Sequence, residues 1–217
     1  MPLRRSSLRP SRPLRRARTS EVTSPDLVRG EDGLARCAWS TSTEDYRAYH
    51  DGEWGRPVRG DTALFERISL EAFQSGLSWL TILRKRENFR SAFADFEPVA
   101  VAAFGDADVE RLMSDAGIVR NRRKIDATIT NARALLDLQR SGETLERLVW
   151  SHRPSIRPRP RCLADVPAVV PESAALSKDL KRRGFVFVGP TTMYAAMQAC
   201  GLVDDHLEGC HVSEIAT

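Results

Sequence analysis

Residues 176–201 read LSKDLKRRGFVFVGPTTMYAAMQACG, and their pattern is that of two helices joined by a short loop. Gly184 and Gly189 bound the loop, and Pro190 with Thr191 opens the second helix. Glycines let the backbone turn sharply and bring its N–H groups close to an anion, and the N-terminus of the following helix favours negative charge at the same place. The stretch therefore predicts a helical hairpin, either one that binds a nucleic-acid phosphate or a plain αα-hairpin.

From residue 31 onwards, the remaining sequence also shows the periodicity of helices. Apolar side chains recur at intervals of three and four residues, and only residues 185–188 suggest an extended piece. Helical patterns outside the hairpin cover residues 61–73, 77–96, 98–104, 106–110, 121–139 and 144–150. We therefore predict an all-α domain of about eight to ten helices over residues 31–217.

Residues 1–30 differ in composition from the rest of the chain. They contain eight arginines against Glu21 and Asp26, a net charge of +6, whereas residues 31–217 hold 25 basic and 27 acidic side chains, a net charge of −2. Arginine, serine and proline dominate there, without the apolar periodicity that packing requires. We therefore predict a disordered tail over residues 1–30, which either adds non-specific attraction to phosphates or is an upstream extension without function.

Cysteine and histidine stand in pairs near the two ends of the predicted domain. Cys37 and His50 lie near its start, and His206 and Cys210 lie near its end, spaced so that a helix would place them on one face. Two thiolates and two imidazoles suit a closed tetrahedral zinc site with no position for water. The four residues therefore predict a structural zinc clamp, although pairs this far apart also arise by chance.

Four blocks of sequence carry rare residue types in a fixed order. They are Tyr49-His-Asp-Gly-Glu-Trp-Gly55, Leu70-Glu-Ala-Phe-Gln-Ser-Gly-Leu-Ser-Trp79, Ala116-Gly-Ile-Val-Arg-Asn-Arg-Arg-Lys-Ile125, and Phe187-Val-Gly followed by Met197-Gln-Ala-Cys-Gly-Leu-Val-Asp-Asp-His206. Over about residues 36–210, these blocks resemble the bacterial 3-methyladenine DNA glycosylase I family. The resemblance implies a helix-hairpin-helix DNA glycosylase fold of two helical lobes. It also implies a structural zinc ion that joins the two ends through Cys37, His50, His206 and Cys210.

Aromatic and acidic residues near these blocks are candidates for binding a base. Five aromatic side chains offer π-faces that attract a cation as well as a stacked ring. They are Trp39, Tyr46, Tyr49, Trp54 and Trp79. Glu71 stands among apolar neighbours, and from the pattern alone it is an exposed helix acid. By the resemblance, Glu71 is the catalytic candidate in the base pocket, where it accepts hydrogen bonds from the amino edge of a methylated base.

A second group of residues is predicted to contact DNA. By the resemblance, residues 74–78 form the loop that fills the hole left by a flipped nucleotide, with Leu77 as the apolar wedge; the alternative is that Leu77 belongs to the core. Positive side chains at 120 and 122–124 suit phosphates, although a run of charge also marks a solvated surface. The residues assigned to DNA contacts are Gln74, Leu77, Arg122, Lys124, Gly184, Gly189 and Thr191.

Two positions depart from the pattern of this family. Superfamily members that use an activating aspartate carry it in a Val-Asp-x-His pattern, and Asp204 falls at that position, where this family commonly has Asn. Asp204 therefore either assists a sugar cation or caps the helix of the zinc ligands. Ala72 stands where the family often has Gly, which predicts a slightly narrower pocket.

The resemblance implies an enzyme of base-excision repair. It predicts hydrolysis of the N-glycosidic bond of 3-methyladenine in alkylated duplex DNA by base flipping. No lysine lies between Gly184 and Pro190, so a monofunctional glycosylase is favoured over a bifunctional glycosylase and lyase. A non-catalytic, zinc-stabilised nucleic-acid-binding module is the alternative from another class, and a carboxylate ringed by aromatic residues argues against it.

Cysteine usage and apolar patterning bear on the cellular compartment. The sequence has no run of 18 apolar residues and no secretory h-region, so we expect neither a membrane span nor secretion. Four cysteines then indicate a reducing compartment, with Cys162 and Cys200 in structural roles. We expect a cytoplasmic monomer that associates with the nucleoid through duplex DNA.

Overall fold

The computed structural model describes residues 24–212. Within that range the prediction of an all-α fold of about eight to ten helices is confirmed. Nine α-helices occur there, namely α1 (Glu44–Gly52), α2 (Asp61–Gln74), α3 (Trp79–Ala92), α4 (Pro98–Ala102), α5 (Asp106–Ser114), α6 (Arg122–Arg140), α7 (Leu145–Trp150), α8 (Pro171–Arg182) and α9 (Pro190–Ala199). An antiparallel pair of short strands, β1 (Leu27–Arg29) and β2 (Ala35–Cys37), precedes them. None of these helices is long and apolar enough to cross a lipid bilayer.

Local sequence signals begin several of these helices. Ser78, Asn121 and Thr144 each accept a hydrogen bond from a backbone N–H of the first turn, at the starts of α3, α6 and α7. Proline occupies the first turn of α4, α8 and α9, where its fixed φ suits the helix. Because N–H groups of the first turn have no acceptor within the helix, the absence of this group in proline costs no hydrogen bond. The starts of these six helices are therefore encoded locally.

Helix α2 lies at the centre of the packing. It contacts α3, α6, α7 and α9, and its residues 64–65 and 68–73 are buried. Phe73 packs against Phe89 and Phe93, with ring centroids 4.6 and 5.8 Å apart. Full burial of such a side chain contributes roughly 1.5–3 kcal/mol to stability. The C-terminal half of α2, which carries Glu71, is therefore held by the core.

Strand β1 lies within the range for which the sequence predicts disorder. Leu27 pairs with Cys37 and Arg29 with Ala35 in the antiparallel ladder. The prediction of disorder is therefore wrong for residues 24–30, because backbone hydrogen bonds hold this segment on both sides of β1 as well as in its ladder with β2. Residues 1–23 lie outside the described range, so the rest of the predicted tail stays a prediction.

The helical hairpin predicted from the sequence is present as α8, a loop and α9. Gly184 has a φ of +89°, which favours glycine, and Gly189 is the N-cap of α9. The buried side chain of Asn131 on α6 holds the loop: its Oδ1 accepts from Val186 N at 2.8 Å, and its Nδ2 donates to Val186 O at 3.0 Å. The amide group of Asn131 thus bonds both backbone groups of Val186, as a neighbouring strand would. The extended piece expected at 185–188 forms no β-strand.

Beyond α9 the described chain forms turns. The expectation that His206 and Cys210 share a helix face is therefore wrong. Gly209 has a φ of +90°, and Cys210 N donates to the carbonyl group of Leu207 at 2.9 Å, which closes a turn between the two residues. A turn of this kind returns the chain on itself, so it brings the two side chains together as a helix would.

Candidate functional site

A cavity of about 240 Å³ lies between α1, α2, α3 and α9. Its wall brings together all five aromatic residues predicted to bind a base, and it also includes Glu71 and Gln74. The aromatic residues are Trp39, Tyr46, Tyr49, Trp54 and Trp79. Helical spacing explains part of this convergence, because residues three apart on α1 and on α2 lie on one side of their helix. The packing of α1 against α3 and against residues 38–40, and of α2 against α3 and α9, brings the other residues together.

The aromatic rings of the cavity pack in two groups. Trp39 contacts Tyr46 and Trp54, with ring centroids 5.0 Å apart in both pairs and interplanar angles of 60° and 76°. Tyr49 and Trp79 lie 5.3 Å apart at 40°. Tilted and edge-to-face contacts of this kind are favourable and fix the orientation of each ring. The cavity therefore has ordered aromatic walls on which a planar ligand can stack.

Glu71 is a buried acidic side chain of this cavity, with 5% of its surface exposed. The alternative of an exposed helix acid is therefore excluded. Burial raises the pKa of its carboxyl group to about 8, and the positive charge of Arg67, one turn earlier on α2, opposes the rise. Burial and the nearby Glu71 also raise the pKa values of Tyr46 and Tyr49. Glu71 is thus mostly protonated at neutral pH when the cavity holds no ligand.

The raised pKa of Glu71 predicts that stability depends on pH. Between about pH 4.5 and about pH 8 the folded protein keeps the proton and the unfolded chain releases it. The free energy of unfolding therefore falls through this group by roughly 1.4 kcal/mol per pH unit as the pH rises. A Glu71→Gln variant has no ionisable group at this position. In urea titrations, its free energy of unfolding relative to that of wild type is therefore expected to be a few kcal/mol higher at pH 8 than at pH 5. An equal difference at the two pH values would contradict the raised pKa.

Two polar residues of the cavity wall, Gln198 and Asp205, escaped the sequence analysis. Asp205 is 4% exposed. Its carboxylate accepts hydrogen bonds from the hydroxyl of Tyr194, from Gln198 Nε2 at 2.8 Å and from Arg157 Nη2 at 2.6 Å. These donors satisfy a buried charge, as burial requires. No sequence signal separates Asp205 from its neighbour Asp204, because the turn after α9 decides which of the two faces the cavity.

The two departures from the family pattern both lie outside the cavity wall. Asp204 Oδ2 accepts from Arg159 Nε at 2.8 Å, and its Oδ1 accepts from the backbone N–H of His206 at 3.2 Å. The carboxylate therefore stabilises a turn and pairs with an arginine, and the ligand helix that it was expected to cap is absent. Ala72 is buried in α2 and does not line the cavity, so it does not narrow the pocket as expected.

The four residues predicted to bind a metal lie together in a buried cluster. Cys37, His50, His206 and Cys210 each place one ligand atom within 4.8 Å of the others. His50 Nε2 is 3.2 Å from His206 Nδ1 and 3.6 Å from Cys210 Sγ, and His206 Nδ1 is 3.7 Å from Cys210 Sγ. A tetrahedral ion with bonds of about 2.0–2.1 Å to nitrogen and about 2.3 Å to sulfur separates its ligands by about 3.3–3.8 Å. The cluster can therefore hold a tetrahedral metal ion.

A carboxylate and a carbonyl group orient the two histidines of this cluster. Asp51 Oδ1 accepts from His50 Nδ1 at 2.8 Å, and Trp54 O accepts from His206 Nε2 at 3.2 Å. One nitrogen of each imidazole is thus bonded to an acceptor outside the cluster. The other nitrogen, His50 Nε2 or His206 Nδ1, faces the centre of the cluster and can bind a metal. Asp51 is not among the residues predicted from the sequence, although its position next to a predicted ligand histidine is a usable signal.

The loop between α2 and α3 projects beside the cavity. Gln74, the last residue of α2, lines the cavity wall. Leu77 is 43% exposed, so the alternative of a core leucine is excluded. Gly76 has a φ of +82°, and a side chain added there would meet nothing within 4 Å. The loop therefore leads from the cavity wall directly to an exposed leucine.

The positive residues predicted to contact phosphates separate into exposed and buried ones. Arg122 is exposed at the start of α6, where its Nε lies 3.7 Å from Asp126. Lys124 is only 7% exposed, and its Nζ donates to the carbonyl groups of Phe73 at 2.9 Å and Ser75 at 2.6 Å. The prediction that Lys124 contacts a phosphate is therefore wrong, because its ammonium group is bound inside the protein.

The N-terminus of α9 is open to solvent. Gly184 and Thr191 are exposed and Gly189 is half-buried, as a backbone phosphate site in the hairpin requires. Beside it, Lys178, Lys181 and Arg182 of α8 line a groove. Unpaired N–H groups of the first turn of a helix, together with nearby positive charge, favour an anion.

Comparisons with known proteins agree with this geometry. The family described as methyladenine glycosylase matches residues 39–213. The DNA-3-methyladenine glycosylase 1 of Escherichia coli K12 is 51% identical over 180 residues, which are 82% of this chain and 96% of that protein. The DNA-3-methyladenine glycosylase of Haemophilus influenzae is 46% identical over 178 residues, 81% of this chain and 96% of that protein. A structure on 3-methyladenine recognition by the Staphylococcus aureus 3-methyladenine DNA glycosylase I aligns with a TM-score of 0.79 and 36% identity, covering 84% of this chain and 98% of that one. The chain therefore belongs to the methyladenine glycosylase family of enzymes.

Proposed function

We propose that this protein flips 3-methyladenine out of alkylated duplex DNA and hydrolyses its N-glycosidic bond. The observation that carries the proposal is the buried carboxyl group of Glu71 in a cavity walled by five aromatic side chains. The relatives named above, which are 3-methyladenine DNA glycosylases by name, support the same substrate. A non-catalytic module that binds only phosphates has no use for such a cavity, so this alternative is disfavoured.

Charge explains how the cavity selects a methylated base. Methylation at N3 makes adenine cationic, and aromatic faces attract cations. A cation beside Glu71 favours the ionised carboxylate and lowers its raised pKa, so that binding releases a proton and forms an ion pair inside the cavity. Neutral adenine brings no charge, and Glu71 then keeps its proton. The cavity thus binds the damaged base in preference to the normal one.

The bond that breaks joins N9 of the base to C1′ of deoxyribose. A cationic base takes the bonding electron pair and leaves as a neutral molecule, while the positive charge passes to the sugar. Water then adds its oxygen to C1′ and loses a proton, which leaves an abasic site. Because the leaving group is already activated, the residues of the cavity need to bind and orient the base more than to protonate it.

The exposed loop and the hairpin are the parts that we assign to the duplex. Leu77 fills the space that the flipped nucleotide vacates, since an apolar side chain can stand in a base stack without a hydrogen-bond partner. The backbone N–H groups around Gly184, Gly189 and Thr191, and the guanidinium group of Arg122, bind phosphates. Phosphate contacts fix the register of the duplex on the protein and carry no base specificity.

Zinc is the ion that we assign to the cysteine and histidine cluster. Cys37, His50, His206 and Cys210 would hold it, and four protein ligands leave no open position for water. Bound zinc supplies a cross-link between the end of β2, α1 and the segment after α9. Its role is therefore structural. We further propose that the protein is a cytoplasmic monomer associated with the nucleoid, and that residues 1–23 form its tail.

The proposed enzyme is monofunctional. A lyase step needs a lysine amine at the cavity to form a Schiff base, and no lysine of residues 24–212 lines the cavity. Lys178 and Lys181 lie on α8 along a separate groove, and Lys124 is bound to two carbonyl groups. Abasic DNA should therefore leave the enzyme with its strand intact.

Incubation with methylated duplex DNA tests the proposed function. We expect chromatography to show free 3-methyladenine among the released bases, and gel analysis to show strand breaks only after alkali treatment. Strand breaks without alkali would contradict the monofunctional assignment. Folded protein that releases no base would contradict the proposed function as a whole and would favour the binding module.

An Asp204→Asn variant tests whether the aspartate at the superfamily's activating position takes part in catalysis. Asparagine keeps an oxygen for the N–H of His206 and loses only the ion pair with Arg159. We expect its single-turnover rate of base release to lie within about twofold of wild type. A loss of tenfold or more without a change in fold would assign Asp204 to the reaction instead.

A further inference from the structure

Lys124 is a buried charged residue for which the reaction above has no use. It lies in the first turn of α6 with 7% of its surface exposed, and burial lowers the pKa of its amine. Its partners are the carbonyl groups of Phe73 and Ser75, at 2.9 and 2.6 Å. A buried ammonium group must be satisfied by acceptors, and here the acceptors are two carbonyl groups of one short segment and not a carboxylate.

The two carbonyl groups lie at the C-terminal end of α2. The last carbonyl groups of a helix have no partner within it, and the helix dipole makes this end negative, so an ammonium group is favoured there. Ser75 leaves the helical conformation with φ −46° and ψ 114°, and Leu77 N donates to the carbonyl group of Gln74 at 2.6 Å to close the next turn. Lys124 is thus bonded on both sides of Gln74.

Little else in the described structure holds this loop from inside. Residues 75–78 are all exposed, and Gly76 has the positive φ that lets the chain turn. An exposed wedge enters a base stack at a lower free-energy cost if its backbone is held in place before the DNA arrives, since ordering it during binding would lower the affinity. The internal bonds from Lys124 supply that order.

We propose that Lys124 is a positioning residue for base flipping, because its ammonium group fixes the backbone of Phe73 and Ser75, so that Leu77 stays exposed beside the cavity. The inference rests on the proposed function, since the position of Leu77 matters only if a nucleotide leaves the stack. It assigns Lys124 to the loop and away from both the phosphates and the bound base.

A Lys124→Met variant tests this assignment, because methionine keeps most of the stem and removes the ammonium group. Quenching of tryptophan fluorescence by free 3-methyladenine measures the cavity alone, and we expect an affinity within about twofold of wild type. Single-turnover release from methylated duplex DNA measures cavity and loop together, and we expect it to fall at least about tenfold. The rise in fluorescence of 2-aminopurine beside a tetrahydrofuran abasic analogue reports insertion of Leu77, and it should be lost.

Arg133→Met is the matched control, because Arg133 on the same helix also donates to two backbone carbonyl groups. They are those of Ala102 at 3.0 Å and Phe104 at 3.1 Å, and neither residue lines the cavity. We expect this variant to keep the free-base affinity and the release rate of wild type. Lys124→Gln keeps an amide NH₂ group as a donor for the carbonyl groups and should show an intermediate release rate. If Lys124→Met does not fold, the same three measurements on Lys124→Gln test the proposal.

Two results would overturn the proposal. One is a Lys124 variant that releases base and inserts Leu77 at the wild-type rate. The other is a variant that loses free-base affinity as strongly as release, which would make Lys124 a part of the general fold. Failure of the proposed function is distinguishable from both, because the wild-type protein itself would then release no base.

Discussion

Release of 3-methyladenine is expected to fall by about ten- to a hundredfold when Glu71 is replaced by glutamine. A hydrogen bond to a charged group contributes about 1.5–3 kcal/mol, and 1.4 kcal/mol corresponds to a factor of ten. Glutamine preserves the size of the side chain and cannot ionise. The variant therefore loses the ion pair with the cationic base and retains the aromatic walls, so some stacking affinity remains.

The pH dependence of binding distinguishes the contribution of the charge of Glu71 to affinity from the contribution of its size and shape. A permanently cationic 3,9-dialkyladenine is a suitable probe, since its own charge does not change over the range. Because Glu71 must lose a proton from a group with a pKa of about 8, wild-type affinity is expected to rise by up to about tenfold per pH unit below that value and to level off above it. The Glu71→Gln variant should bind weakly and without this dependence.

Glu66→Gln is the matched control for this experiment. Glu66 lies on the same helix, pairs with Arg90 at 2.8 Å and does not line the cavity. Its replacement removes an ion pair from α2 without changing the charge of the pocket, so release and its pH dependence should match wild type. Equal losses in the two variants would show that the effect of Glu71 is structural, and full activity in Glu71→Gln would move base recognition elsewhere.

Loss of the cysteine and histidine cluster, to which we assign zinc, is expected to have the largest effect on stability. A Cys210→Ser variant should contain no zinc, whereas the wild-type protein should contain one zinc ion per chain by mass spectrometry of the metal. A structural zinc site contributes folding free energy directly, and several kcal/mol correspond to a fall in Tm of at least about 10 °C in a domain of this size. Removal of the ion from wild type by a chelator should produce a similar fall.

The cluster also supports one wall of the cavity. The ring of Trp39 lies 5.3 Å from that of His50, and the ring of Trp54 lies 4.7 Å from that of His206. We therefore expect Cys210→Ser to weaken binding of free 3-methyladenine as well as to lower Tm. Cys162→Ser, at a half-buried position outside the cluster, is the control and should change neither quantity nor the zinc content. Zinc-free wild-type protein with an unchanged Tm would contradict the structural role.

Lys124 and the segment after α9 show where reasoning from sequence failed. Lys124 stands in a run of positive residues, and the sequence shows the charge but not the direction of the side chain; packing of α6 against the end of α2 turns it inward. The spacing of His206 and Cys210 fits a helix, but Gly209 adopts a positive φ and a turn forms instead. In both cases the local pattern allowed two conformations, and contacts with distant residues selected one.

Local interactions explain what the sequence by itself determined about this protein. Helix periodicity, caps such as Ser78 and the glycine and proline residues of the hairpin specified the helices, since these signals act within a few residues. The motifs specified the family, and the resemblance singled out the cysteine, histidine and aromatic residues that the structure brings together. Only the tertiary structure decided that Asp205 and not Asp204 faces the cavity, and that the ammonium group of Lys124 points inward to a carbonyl group of the loop. Burial and side-chain direction depend on which distant segments meet, and one local pattern is compatible with several such arrangements.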